Sequence, residues 1–213
     1  MNQRCAKIFL VRHGQSAWNQ EKRITGQCNP PLSEKGERQA QVLAHVLHEQ
    51  PLTAIYTSTL QRAQQTARPT SLTHGLPLQT QEALNEIHLG VLQGRFRDAR
   101  DPEAQRMWEQ RGEDKLAFRA PEGETYHELR HRVLPCLRAI IKEAQKGAVL
   151  IVGHRNTNRV LLGELLQWPL EVAAATNIKS TYLYEVSYTP QPHVRTICLA
   201  ETRIGRVREG FYA

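Results

Sequence analysis

Two unbroken apolar runs, Ile8-Phe9-Leu10-Val11 and Ala148-Val149-Leu150-Ile151-Val152, each lead within two residues to a histidine, His13 and His154. Runs of this kind read as strands buried on both faces, the condition met by a sheet with helices on either side. In an open α/β sheet, ligands collect in the crevice outside the carboxyl ends of the strands. Two histidines at equivalent strand ends can therefore converge on one site although far apart in the chain. That geometry suits an enzyme.

Apolar runs alternate with helical patterns along the remaining sequence, the mark of βαβ units and a mainly parallel central sheet in a three-layer α/β/α arrangement. Strands are expected at Lys7 to Arg12, Ala54 to Thr57, Ala148 to Val152, Thr181 to Val186 and Val194 to Leu199. Ser33 is a good N-cap for a first helix with Ala40, Leu43, Ala44 and Leu47 on one face. A second helix is expected from about Leu60 to Arg68, stopping before Pro69. A third spans about Glu124 to Gln145, kinked at Pro135, and a fourth about Asn156 to Leu166, closed by Trp168-Pro169. Between Gly94 and Pro121 the sequence becomes charge-rich, which predicts a partly helical lid at about 95–120 rather than a separate domain. The 213 residues are read as a single domain, 1–213.

Hydrophobic content of 40% and charged content of 23% are those of an ordinary globular protein. No segment approaches the ~20 apolar residues that span a bilayer, and no secretory leader is visible, so a cytoplasmic protein without membrane contact is expected. Cys5, Cys28, Cys136 and Cys198 are scattered without a C-x-x-C pair and read as reduced, mostly packed thiols. The net charge of +7 comes from arginines spread along the chain, not from a basic block with interleaved aromatics. A small phosphorylated substrate is the simpler partner, and nucleic acid is not expected. Pattern alone leaves the oligomeric state open.

A neutral imidazole can attack phosphorus and hold a phosphoryl group covalently, which makes His13 the candidate nucleophile. Arg12 beside it offers a planar fork for phosphoryl oxygens and disfavours a protonated ring. Arg62 falls near the start of a helix that follows a strand end, where anions are attracted. With His154 these arginines would form a cradle for charge on equatorial oxygens. Glu86, in the loop before the lid, is the candidate proton donor and acceptor for the leaving group.

The segment Leu10-Val11-Arg12-His13-Gly14-Gln15-Ser16-Ala17-Trp18-Asn19 resembles the signature of the histidine phosphatase superfamily, the phosphoglycerate mutase-like proteins. Thr25-Gly26, the segment from Pro31 to Gly36, Ser58 to Ala67, Pro121 to Thr125 and Gly153-His154 continue the likeness in order. The resemblance implies a phosphoglycerate mutase-like fold and transient phosphorylation of His13. It also implies that Arg12, Arg62 and His154 hold the phosphoryl group, with Glu86 as acid and base. Asn19, Thr25 and Gly26 match substrate-binding positions, and neither metal nor other cofactor is implied. Two departures stand out. Arg155 replaces the small residue that usually follows the second histidine, and is expected to reach a second anionic group on the substrate. The stretch after Gly94 is short and does not match the segment with which mutases grip a bisphosphorylated cofactor, which favours a metal-independent phosphomonoesterase. A mutase-type phosphotransferase and a non-catalytic phosphate-binding module are the alternatives.

His127-Glu128-Leu129-Arg130-His131 fits the H-E-x-x-H zinc pattern, but the stripe Leu129, Val133, Cys136 and Ile140 marks the buried face of that helix and turns both histidines towards solvent. Trp18 and Trp108 are readable either as packing or as pocket walls.

Overall fold

Seven strands form one mixed sheet in the order β3-β2-β4-β1-β5-β6-β7. They are β1 Lys7–Arg12, β2 Leu52–Thr57, β3 Leu78–Thr80, β4 Ala148–Gly153, β5 Tyr182–Tyr188, β6 Pro192–Cys198 and β7 Val207–Glu209. The structure is a computed structural model that describes residues 6–188, 191–200 and 204–212. Cys5 and residues 202, 203 and 213 of the tail lie outside the described residues, and the other three thiols are free and half-buried. The strands β3, β2, β4 and β1 pair in parallel, and β5, β6 and β7 extend the sheet antiparallel from the edge of β1. The short strands β3 and β7 carry no apolar run, and the sequence reading passed over them.

Alternation along the central strands explains the layers. In β1, Ile8 and Leu10 face one core while Phe9 and Val11 face the other, and in β4 Val149 and Ile151 oppose Leu150 and Val152. One face is covered by α2 (Glu34–Leu47) and α3 (Gln61–His74), through Leu43, Leu47, Ala63 and Ala67. The other is covered by α5 (Tyr126–Ala144) and α6 (Arg155–Leu165), through Leu129, Val133, Leu137, Ile140, Val160 and Leu161. Two short helices, α1 (Ala17–Gln20) and α7 (Leu170–Ala175), went unforeseen, whereas α4 (Pro102–Glu113) gives the charged segment after Gly94 its helical part.

Local chemistry sets the helix boundaries. Ser33 caps α2 by accepting the Gly36 N–H, and Thr125 caps α5 in a reciprocal capping box with Glu128. The expected stop of the second helix at Arg68 is corrected: α3 runs through Pro69 to His74 and ends on Gly75, whose φ of 64° is left-handed. Thr66, Ala67 and Thr70 are all buried, so packing on both sides of the proline holds the helix together across the missing hydrogen bond. Replacing Pro69 with alanine restores that bond and is expected to stabilise the fold by about 1–3 kcal/mol. Equilibrium urea unfolding measures the change, and a loss of stability would contradict this account of α3.

Candidate active site

Parallel pairing of β1 with β4 puts Arg12 opposite Gly153, and the His13 N–H donates to the Gly153 carbonyl at 2.9 Å. The two strands therefore end level, and each delivers a histidine one residue beyond its last position. The ring centroids of His13 and His154 lie 5.1 Å apart. Both side chains are buried.

His13 Nδ1 lies 2.6 Å from the Gly14 carbonyl, which only accepts, so Nδ1 carries the proton. Nε2 then bears the lone pair, and it accepts the Nε–H of Arg62 at 3.3 Å. Burial, followed by the charges of Arg62 and Arg12, holds His13 well below the ordinary histidine range. Burial thus outranks the Arg12 effect that sequence reasoning singled out. Burial and then Arg62 do the same to His154. Ser58 Oγ accepts the Leu60 N–H and is hydrogen-bonded to His154 Nε2 at 2.7 Å. His154 Nδ1 has no protein partner.

Arg62 is the second residue of α3, and its other two nitrogens donate to the carbonyls of Cys28 at 2.6 Å and Gly26 at 2.8 Å. Burial pushes its pKa down to about 10, and burial with the nearby Arg155 charge pushes Arg12 down to about 9. Glu86 accepts from the backbone N–H groups of Ile87, Asn156 and Thr157, which places its carboxylate at the N-terminus of α6. The loop that carries His13 is set by a close approach: a Cβ on Gly14 would lie 2.6 Å from the Gly36 carbonyl, and one on Gly36 would collide with the Gln15 carbonyl.

His13, Arg12, Arg62 and Glu86 line one cavity of about 520 Å3 together with Asn19, Thr25, Gly26 and Arg155, whereas the fully buried His154 lies outside its lining. Thr25 Oγ1, Arg12 Nε and Arg155 Nε are buried without a protein partner, as donors facing an anion would be. Asn19 also accepts the Ser16 N–H in the small cap of α1. Trp108 lines the cavity, whereas Trp18 lies outside its lining and packs under the Arg23 guanidinium, 5.3 Å from the ring centroid. The wall carries nine arginine and lysine side chains against one carboxylate, that of Glu86. Among them, and among the described residues, only Arg23 is ion-paired, with Glu21. Sequence reasoning did not find Ser58, Asn156, Arg159, Arg111 or Lys115. The i, i+4 spacing of Arg155 and Arg159 was the one available signal.

The H-E-x-x-H residues His127, Glu128 and His131 are exposed, and Glu128 is engaged by Thr125 and Arg119. Among the described residues no group of His, Cys, Asp and Glu side chains is arranged to hold a metal ion. No helix among them is long and apolar enough to cross a membrane.

Comparison with known proteins agrees with this geometry. The sequence profile of the histidine phosphatase superfamily (branch 1) matches residues 8–196. A probable phosphoglycerate mutase GpmB of Yersinia pestis (strain Pestoides F) is 34% identical over 186 residues, covering 87% of this chain and 86% of that protein. Among solved structures, Bacillus stearothermophilus YhfR aligns with a TM-score of 0.80 at 28% identity, covering 88% of this chain and 94% of that one. A mycobacterial glucosyl-3-phosphoglycerate phosphatase aligns with a TM-score of 0.74 at 26% identity, covering 86% and 91%.

Two outcomes follow from the charge balance. Both histidines have folded pKa values below their unfolded value of about 6.5, so the unfolded chain binds protons that the fold refuses, and stability in phosphate-free buffer should fall as the pH is lowered from about 7. Denaturation midpoints across that range test this, and a flat profile would contradict it. Arg12→Met removes a half-buried guanidinium that has no ion-pair partner among the described residues, and should stabilise the ligand-free protein by about 1–3 kcal/mol while abolishing stabilisation by inorganic phosphate. Thermal melts with and without phosphate read both effects.

Proposed function

This chain belongs to the histidine phosphatase superfamily, and on that premise we propose that it is a metal-independent phosphomonoesterase acting on a small phosphorylated metabolite through phosphohistidine at His13. The observation that carries the reading is the unprotonated Nε2 of His13, held against the Arg62 guanidinium with a second histidine 5.1 Å away. Arg12, Arg62 and His154 hold the phosphoryl oxygens, with the unpartnered Arg12 Nε–H as a donor. Asn19, Thr25 and Gly26 border the substrate, Thr25 through its own unpartnered hydroxyl.

The chemistry is two displacements. His13 Nε2 attacks phosphorus, the ester P–O bond breaks, and the departing alkoxide takes a proton from the Glu86 carboxyl. Glu86, now a carboxylate, removes a proton from water as the water oxygen attacks the phosphohistidine. The P–N bond breaks, inorganic phosphate leaves, and the lone pair returns to Nε2. Burial supports the nucleophile by keeping the imidazole neutral well below the usual histidine range. The three half-buried free thiols are in keeping with a reducing, cytoplasmic setting.

A second reading, transfer of the phosphoryl group to another hydroxyl, is favoured by the name of the Yersinia pestis relative, a probable phosphoglycerate mutase. It differs only in the acceptor, water or alcohol.

Wild-type protein should hydrolyse an aryl phosphate in EDTA and yield an acid-labile phosphoenzyme, and His13→Ala should lose both by about 10³-fold or more. Equal rates for the two proteins would remove the proposal, and dependence of isomerisation on a bisphosphorylated primer would select transfer. Glu86→Gln should lower kcat by about 10²- to 10⁴-fold on an alkyl phosphate, and much less on p-nitrophenyl phosphate, whose leaving group needs no proton. Equal losses on both substrates would deny Glu86 its proton.

A further inference from the structure

Beyond His13 the cavity continues into a half walled by α4 and the N-terminal part of α6, with the start of α5 behind it. Asn156 Oδ1 sits at its centre and accepts from Tyr126 Oη at 2.6 Å, Arg159 Nη1 at 3.1 Å and Arg111 Nη2 at 3.3 Å. One amide oxygen thus draws together a guanidinium from α4 and another from α6, both more than nine-tenths buried. Arg155, four residues before Arg159 and on the same side of α6, adds a third, whose Nε is buried without a partner. Lys115 follows α4 and lines the same wall.

None of these four cations is ion-paired among the described residues, whereas the ion-paired arginines of the molecule, Arg23 apart, all lie outside the cavity. For Arg155 and Lys115 the pKa is lowered, in part by repulsion. Burial and then Arg159 depress both Arg155 and Lys115, the latter with Arg111 as a further cause. Packing accounts for part of the group: Arg111 lies over the Trp108 ring at 5.2 Å, and Arg159 donates to the Thr176 carbonyl at 2.6 Å. It does not account for Arg155 or Lys115, which have neither partner. Like charges gathered in a partly buried wall repel one another unless an opposite charge enters among them.

We propose that this half of the cavity is a subsite for a second anionic group, a carboxylate or a phosphate, on the same molecule whose phosphoryl group meets His13. Arg155 directly follows His154 at the start of α6, so the second anion is met close to the first, which selects a compact molecule. Arg155 and Lys115 contact the second anion, and Asn156 positions Arg111 and Arg159 around it. The inference rests on the phosphomonoesterase reading of the same site and narrows its substrate to doubly anionic phosphate esters.

Calorimetric titration with propylphosphonate, phosphonopropionate and propane bisphosphonate separates the possibilities, because the three share one phosphonate and differ in the second group. One of the two bifunctional compounds should bind about tenfold or more tightly than propylphosphonate, and the better of the two identifies the second group as carboxylate or phosphate. Arg155→Met and Lys115→Met, each verified as folded by circular dichroism, should shrink that ratio by about threefold or more. Equal affinities for all three compounds, or variants with an undiminished ratio, would overturn the subsite. Hydrolysis of p-nitrophenyl phosphate, measured in parallel, reports on the phosphomonoesterase reading independently. Its absence removes that reading, while the subsite stands or falls on the titration alone.

Discussion

The pairing of β1 with β4 is the constraint from which the site follows. Parallel strands in register end at the same height, and here the His13 N–H to Gly153 carbonyl bond carries the ladder one residue past the strand. Each histidine is therefore fixed by backbone before any side chain contributes. Ser58, beyond the end of β2, then orients one ring, and the Gly14 carbonyl and Arg62 orient the other. A slip of one residue in either strand would turn Ile8 and Leu10 towards the wrong core and part the histidines. Core packing and site geometry are enforced by the same register.

The second determinant is charge that the cavity leaves unneutralised. Elsewhere in the molecule arginines meet carboxylates, as Arg95 meets Asp101 and Arg132 meets Glu124. Inside the cavity, Arg23 apart, they meet carbonyls, amides and rings, groups that orient a guanidinium without cancelling it. The pKa values of Arg12 and Arg62, about 9 and about 10, register the cost. An anion that enters finds donors already aimed, so little reorganisation accompanies its binding.

What the sequence made legible was whatever depends on short-range pattern. The buried strands, the Ser33 cap and the apolar stripe of α5 are all local signals, and strand-end placement of His13 and His154 follows from them. The solvent orientation of His127 and His131 was readable from the same stripe. Pro69 misled because a local rule yielded to packing from Thr66 to Thr70, which no window of sequence displays. The strands β3 and β7 owe their pairing to neighbours, not to composition. In the site, Asn156 could not be foreseen as a hub, since its three donors come from residues 111, 126 and 159 and meet only in the folded chain. Ser58 was likewise invisible as the partner of a residue ninety-six positions away.

The contact between Gly14 and Gly36 has an evolutionary corollary. A methyl group at either position meets the backbone of the opposite segment, so neither glycine can be exchanged first while the loop keeps its place. No one-step path leads away from this pair, whereas the rim of the cavity is made of side chains that can be traded singly. A lineage derived from this chain can therefore alter its choice of ligand far more readily than the ground on which its nucleophile stands.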